Sequence, residues 1–207
     1  MGRGEKKKKS AFREYTEAII VAVILALFIR TFVVQAFKIP SGSMEPTLEV
    51  GDHILVNKFL YGVRIPLTSI HLFPLEKPRR GDVIVFIYPL DRSKDFIKRV
   101  VAVEGDAVRI VNKKLYINDS EVADPHAVYK EGTVIPGEIQ TRDNFGPVTV
   151  SKGTLFVLGD NRDRSLDSRF WGFVKLEDVL GKAFIIYWSW DRQGMSPRWG
   201  RIGHLIH

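Results

Sequence analysis

Hydrophobic and polar positions change their rhythm near residue 37. From 18 to 29 every residue is apolar (AIIVAVILALFI), and after Arg30 and Thr31 the run resumes through Phe32, Val33 and Val34 to Gln35, Ala36 and Phe37. A helix that crosses a bilayer needs about 20 mostly apolar residues. Residues 17–37 meet that length, with Arg30 near the end, where its head can reach the headgroups. Two other readings fit the run. One is a buried core helix, against which the lack of polar periodicity counts. The other is a cleaved export signal ending near Val34 and Ala36, against which the late Arg30 counts. No second apolar run of similar length follows, so the chain reads as single-pass.

Beyond 37, short apolar runs alternate with turn residues, the pattern of strands. Residues 53–56 (HILV) follow Gly51 and Asp52, 83–88 (VIVFIY) run from Gly81 and Asp82 to Pro89, and 96–103 (FIKRVVAV) close at Gly105 and Asp106. Residues 107–111 and 114–117 flank Asn112 and Lys113, a hairpin signature. Residues 154–158 (TLFVL) and 183–188 (AFIIYW) are the remaining clear strands. The expected fold is mostly β, an antiparallel-sheet main domain with a smaller inserted β domain, preceded by one N-terminal transmembrane helix. The division predicted is a basic segment 1–16, an anchor 17–37, a main domain 38–106 with 151–207, and an insertion 107–150, where polar and turn residues are denser. Residues 60–77, with two prolines, read as a substrate-facing loop or a connector.

Composition narrows the classes. With 207 residues, 45% hydrophobic and 27% charged, the chain is long enough for one sizeable core and too apolar for wholesale disorder. A net charge of +7 permits nucleic-acid binding, but the densest basic run, Lys6 to Lys9, directly precedes the apolar stretch. That arrangement marks a cytoplasmic flank, so lipid and no nucleic acid is the expected partner, and residues after about 38 are expected outside the cell membrane. The absence of cysteine excludes disulfides and cysteine-based zinc sites.

Three segments carry candidate chemistry. Ser41 and Ser43 lie in IPSGSMEPT (39–47) just after the apolar run, where Pro and Gly oppose a helix; taken alone, Ser-Gly-Ser also reads as a flexible linker. A serine needs a base to become a nucleophile. None of His53, His71, His126, His204 or His207 sits in an obvious catalytic setting, whereas a lysine serves if burial keeps its amine neutral. Strand alternation places Phe96, Lys98, Val100 and Ala102 on one face and Ile97 and Arg99 on the other. Lys98 is therefore either a base on an apolar face or a charge guarding a sheet edge. The third segment, GDNRDRSLDSR (159–169), reads poorly as a calcium loop, because Leu166 stands where Gly is needed and Gly172 where Glu is needed. No metal is expected. The better reading is an ion-pair network of Asp160, Asp163 and Asp167 with Arg162, Arg164 and Arg169, either orienting a catalytic group or forming an exposed charged turn.

Together and in this order, the apolar run, IPSGSMEPTL (39–48), GDHILVNKFLYG (51–62), RGDVIVF (80–86), FIKRVVAVEGD (96–106), LGDNRDRSLDSRFWGFV (158–174) and RWGRIG (198–203) resemble the bacterial type I signal peptidases. The resemblance implies a membrane-bound serine endopeptidase of the cytoplasmic membrane, its N-terminus cytoplasmic and its catalytic domain on the outer side. It would remove signal peptides from exported preproteins after small residues, without a cofactor. It matches Ser43 to the nucleophile, Lys98 to the general base, and Ser41 with the Ser43 N–H to the oxyanion hole. Ser165 matches a serine that hydrogen-bonds the lysine, Asp167 with Arg169 a supporting pair, and Asp160 with Arg162 a second pair. Phe37, Ile39, Pro40, Met44, Leu48 and Ile97 match the lining of the pockets for small side chains. The chain departs from two-span members in having one apparent anchor, and from others in lacking a cysteine pair. Two rival readings are a self-cleaving Ser–Lys protease like SOS-type repressors, for which no helix-turn-helix precedes Ser43, and a membrane-tethered β binding module.

Overall fold

The computed structural model describes residues 11–64, 71–72 and 75–207. The lysine run 6–9 and part of the 60–77 stretch lie outside these residues. The apolar run forms a helix, α1 (Ala11–Phe32), but it does not continue to residue 37. Val34–Lys38 is instead a strand, β1, paired antiparallel with β2 (Asp52–Asn57) from Val34 opposite Asn57 to Lys38 opposite His53. This corrects the expected 17–37 span. Val33 and Val34 are β-branched and favour the extended chain, and the β2 edge satisfies their backbone where a longer helix would leave that edge open. Among the described residues no helix is long and apolar enough to cross a membrane. The unbroken apolar stretch 18–29 spans about 18 Å at 1.5 Å per residue, against about 30 Å of hydrocarbon. Its side chains are nonetheless bare: Ile19, Val21, Ile24, Leu25 and Leu27 are each more than half exposed.

The remaining strands are the short pair β3 (Val63–Arg64) and β4 (His71–Leu72), then β5 (Val83–Ile87), β6 (Asp95–Val103), β7 (Ala107–Val111), β8 (Lys114–Ile117), β9 (Ser120–Glu121), β10 (Phe145–Thr149), β11 (Thr154–Leu158), β12 (Val174–Lys175), β13 (Val179–Asp191) and β14 (Ser196–Pro197). Among the described residues the large sheet runs β1-β2-β13-β5-β6-β11-β12, with β14 paired to β13, and a second sheet runs β10-β7-β8-β9. Every strand pair is antiparallel, so the mostly β, antiparallel expectation holds. Asn112 and Lys113 both adopt positive φ, at 49° and 70°, the geometry of a two-residue hairpin turn between β7 and β8. β10 escapes the sequence pattern because it contains Gly146 and Pro147. It lies at the edge of its sheet, where a missing N–H is tolerated.

The core comes in three parts. Ile39, Met44, Leu48, Ile54, Val56, Val83, Val85 and Ile186 pack beneath the turn that carries Ser43. Ile84, Phe86, Val100, Leu155 and Val157 form another part. The second sheet contributes Val108, Ile110, Leu115 and Ile117 to a core that also holds Val101, Ala102, Phe156 and Leu158 of β6 and β11. The small sheet therefore has no independent core; it lies on the strands that carry Lys98 and the 159–169 loop.

Candidate active site

After β1 the chain passes through Ile39 and Pro40 into one 3-10 turn, Gly42–Met44. Met44 is fully buried and acts as the plug that holds the turn against the sheet, leaving Ser43 half-buried at its crest. Lys98 comes from β6. That strand lies between β5 and β11, so the edge-lysine reading is excluded, and Lys98 is 4% exposed. Ile84 is its cross-strand neighbour, and the Phe96 ring centroid lies 5.6 Å from Nζ. The Nζ of Lys98 and the Oγ of Ser43 are 2.7 Å apart, and Nζ also donates to Ile97 O at 2.9 Å.

Burial decides the charge of this amine. Removing an ammonium from water favours the neutral form, and it brings Lys98 down to about 8 from the ordinary 10.5. The carboxylates of Asp167 and Asp160 oppose the shift, and the Arg169 guanidinium adds to it.

The 159–169 segment is not an exposed charged turn: Asp160, Asn161, Arg162, Asp163, Ser165, Asp167 and Arg169 are all buried. Each acid has a basic partner, which also removes the calcium-loop reading. Asp167 and Arg169 pair through two bonds of 2.8 Å, and Asp167 Oδ2 also accepts the Gly159 N–H at 3.1 Å. The other pairings come from distant sequence and correct the local network expected. Asp160 pairs with Arg99, not Arg162. Arg162 reaches Asp124 and Gly159 O instead. Asp163 takes Lys113 at 2.7 Å and lies 3.8 Å from Arg142, both from the region of the second sheet. The reason is geometric: Arg99 points to the face of β6 opposite Lys98, directly at the loop.

Ser165 also departs from expectation. Its Oγ is buried with no hydrogen-bond partner, so it does not bond Lys98 in this structure. Its place is set by Gly159, where an added Cβ would overlap Ser165 Oγ, meet Ser165 Cβ at 2.5 Å and come 2.5 Å from Ser43 O. Only a glycine lets the loop and the serine turn approach this closely. Ser41 is exposed and precedes the turn in extended conformation.

Of the residues expected to line small pockets, Met44 and Leu48 are 0% exposed and Ile39 2%. They back the wall from inside the core. Phe37 and Ile97 pack on the same cluster while partly open, and Pro40 is exposed. Among the described residues no group of three or more His, Cys, Asp or Glu is placed to hold a metal.

Three supporting residues were not singled out from the sequence. Asn161 donates from its N–H to Ser43 O at 3.2 Å and from Nδ2 to Gly42 O at 3.0 Å; its segment was legible, but as charge pairing. Arg198 and Arg201 of the tail reach back to Val50 O and Thr47 O at 2.6 and 2.9 Å. They also surround the buried Asp52, whose carboxyl burial would raise. Hydrogen bonds from Arg201, Ser189 and the Glu49 N–H hold it below its usual range.

The family model described as signal peptidase, peptidase S26, matches residues 12–188. A protein of Pseudomonas aeruginosa named signal peptidase I is 38% identical over 97% of this chain and 81% of its own length. One of Pseudomonas fluorescens with the same name is 37% identical over 95% and 80%. Another, of Aquifex aeolicus, is 36% identical over 89% and 88%.

Proposed function

The chain belongs to the signal peptidase family, peptidase S26, and on that premise we propose that it is a Ser–Lys endopeptidase that cuts signal peptides from exported preproteins. The observation that carries the chemistry is the 2.7 Å approach of a buried lysine amine to the Ser43 hydroxyl. With Lys98 at about 8, about one amine in ten is neutral at pH 7 and half at pH 8. Neutral Lys98 takes the proton as Ser43 Oγ attacks the carbonyl after a small residue. The Ser43 N–H and the Ser41 hydroxyl receive the oxyanion. Lys98 then protonates the leaving amine, and the acyl-enzyme is released by a water that the same lysine deprotonates. The partly open Phe37 and Ile97 confine the substrate side chain before the cut.

The bare apolar face of α1 supports attachment to the bacterial cytoplasmic membrane, with the N-terminus inside and the catalytic sheet on the outer side. α1 leads through β1 directly into the Ser43 turn, so the site would work at the lipid surface, where a signal peptide emerges. In the same reading, residues 107–150 form a smaller unit inserted in a catalytic domain made of 38–106 and 151–207.

Cleavage of a purified preprotein by the full chain in detergent tests the assignment. Ser43→Ala and Lys98→Ala are each expected to lose activity by at least about 1,000-fold. Near-normal cleavage by Lys98→Ala would remove the base, and by Ser43→Ala the whole mechanism.

A further inference from the structure

Asn161 grips the nucleophile turn at two consecutive peptides: its N–H donates to Ser43 O at 3.2 Å, and its Nδ2 to Gly42 O at 3.0 Å. The residue is 1% exposed, and its Oδ1 is buried without a hydrogen-bond partner. An unpaired buried oxygen is a liability to the fold, so the value of this side chain lies at its donor end. Gly42 O accepts from the Glu45 N–H as well, at 3.2 Å, so both lone pairs of that oxygen are engaged.

The peptide joining Gly42 to Ser43 is trans. In a trans peptide the C=O and the next N–H point in opposite directions from one rigid plane. Holding Gly42 O therefore fixes the direction of the Ser43 N–H. The need for a hold is local, because Gly42 has no Cβ and its peptide turns easily. An oxyanion donor is most effective when it already points at the developing charge.

We propose that Asn161 is a positioning residue for the oxyanion hole: by clamping Gly42 O it aims the Ser43 N–H at the oxygen that becomes negative when Ser43 attacks. The inference rests on the Ser–Lys reading above and adds to it a residue that touches neither the substrate nor the dyad side chains.

The test compares full-length wild type with Asn161→Leu, similar in size with no donor, and Asn161→Ala, both in detergent. Each is assayed for preprotein cleavage and for binding of two peptides that end in an alanine aldehyde or the corresponding alcohol. With the aldehyde, Ser43 Oγ bonds the carbonyl carbon, the C=O electron pair moves to oxygen, and the Ser43 proton passes to Lys98 Nζ. The alcohol binds without that bond. Loss of aim is expected to lower kcat about 10–100-fold, somewhat less than loss of a whole donor, with KM within about threefold. Affinity for the aldehyde should fall by the same factor as kcat, while affinity for the alcohol and the midpoint of the pH–rate profile stay put.

The proposal is overturned if either variant, folded by its melting curve, keeps kcat and aldehyde affinity within about twofold of wild type. It is also overturned if aldehyde and alcohol affinities fall together, or if a moved pH midpoint accounts for the loss. Those results with an inactive Ser43→Ala sink this inference alone; an active Ser43→Ala sinks the reading beneath it.

Discussion

Asp160 accepts both Nε and Nη2 of Arg99, at 2.8 and 2.7 Å, in a pair that is almost wholly buried. Arg99 follows Lys98 on β6, and Asp160 precedes Asn161, so one ion pair ties the strand of the proposed base to the loop that grips the proposed nucleophile. Breaking such a pair leaves a buried charge uncompensated and costs about 3–5 kcal/mol, whereas replacing both partners by apolar groups costs much less. Asp160→Leu is therefore expected to lower unfolding stability by about 3 kcal/mol or more in urea. Arg99→Met combined with Asp160→Leu should recover part of that. A double variant no more stable than the single would show that Arg99 matters for its bonds to Gly81 O and His207 O and not for its charge pairing.

The pH dependence of cleavage follows from the lysine. In the proposed mechanism activity requires the neutral amine, whose fraction grows as pH rises through about 8. Single-turnover cleavage is expected to increase about tenfold per pH unit well below that value and to level off above it. A profile already flat at pH 6 would contradict the base assignment.

The same burial should make Lys98 a weak point of the fold. Its amine drops from 10.5 to about 8 on folding because the charged form is desolvated. Between those values the unfolded chain binds more protons, so stability rises with pH across that window, and below it the full penalty of about 3 kcal/mol applies. Lys98→Met is expected to raise the melting temperature at pH 7, with the advantage vanishing near pH 10.5. Equal melting shifts at pH 7 and pH 10 would disprove the sign.

Gly159→Ala should injure site and fold together, since its Cβ would meet Ser165 and come 2.5 Å from Ser43 O. Overpacking of this kind costs about 1–3 kcal/mol, and cleavage should fall as the serine turn is displaced. Gly159→Ala with Ser165→Gly removes one of the two obstacles, so a partial return of melting temperature is expected. Ser165→Ala by itself removes an unpaired buried hydroxyl and should leave stability within about 1 kcal/mol.

Short apolar runs bounded by turn residues were enough to mark β2, β5, β6, β11, the core of β13 and the β7–β8 hairpin. The order of the motifs was enough to single out Ser43 and Lys98. These are local properties: a run rich in β-branched and aromatic residues favours the extended chain, and an Asn-Lys pair accepts the positive φ that a tight hairpin needs. What the sequence left open was everything that depends on which distant segments meet. Val34–Lys38 reads as the end of an apolar helix until β2 offers it a ladder. Asp160 reads as a partner for nearby Arg162 until β6 presents Arg99 from the other side. Lys98 could have been an edge charge until the fold set β6 between β5 and β11 and brought the Ser43 turn against its amine. The amine's protonation, the unpaired Ser165 and the Asn161 clamp all follow from burial and close approach, which depend on the whole fold and have no sequence period to announce them.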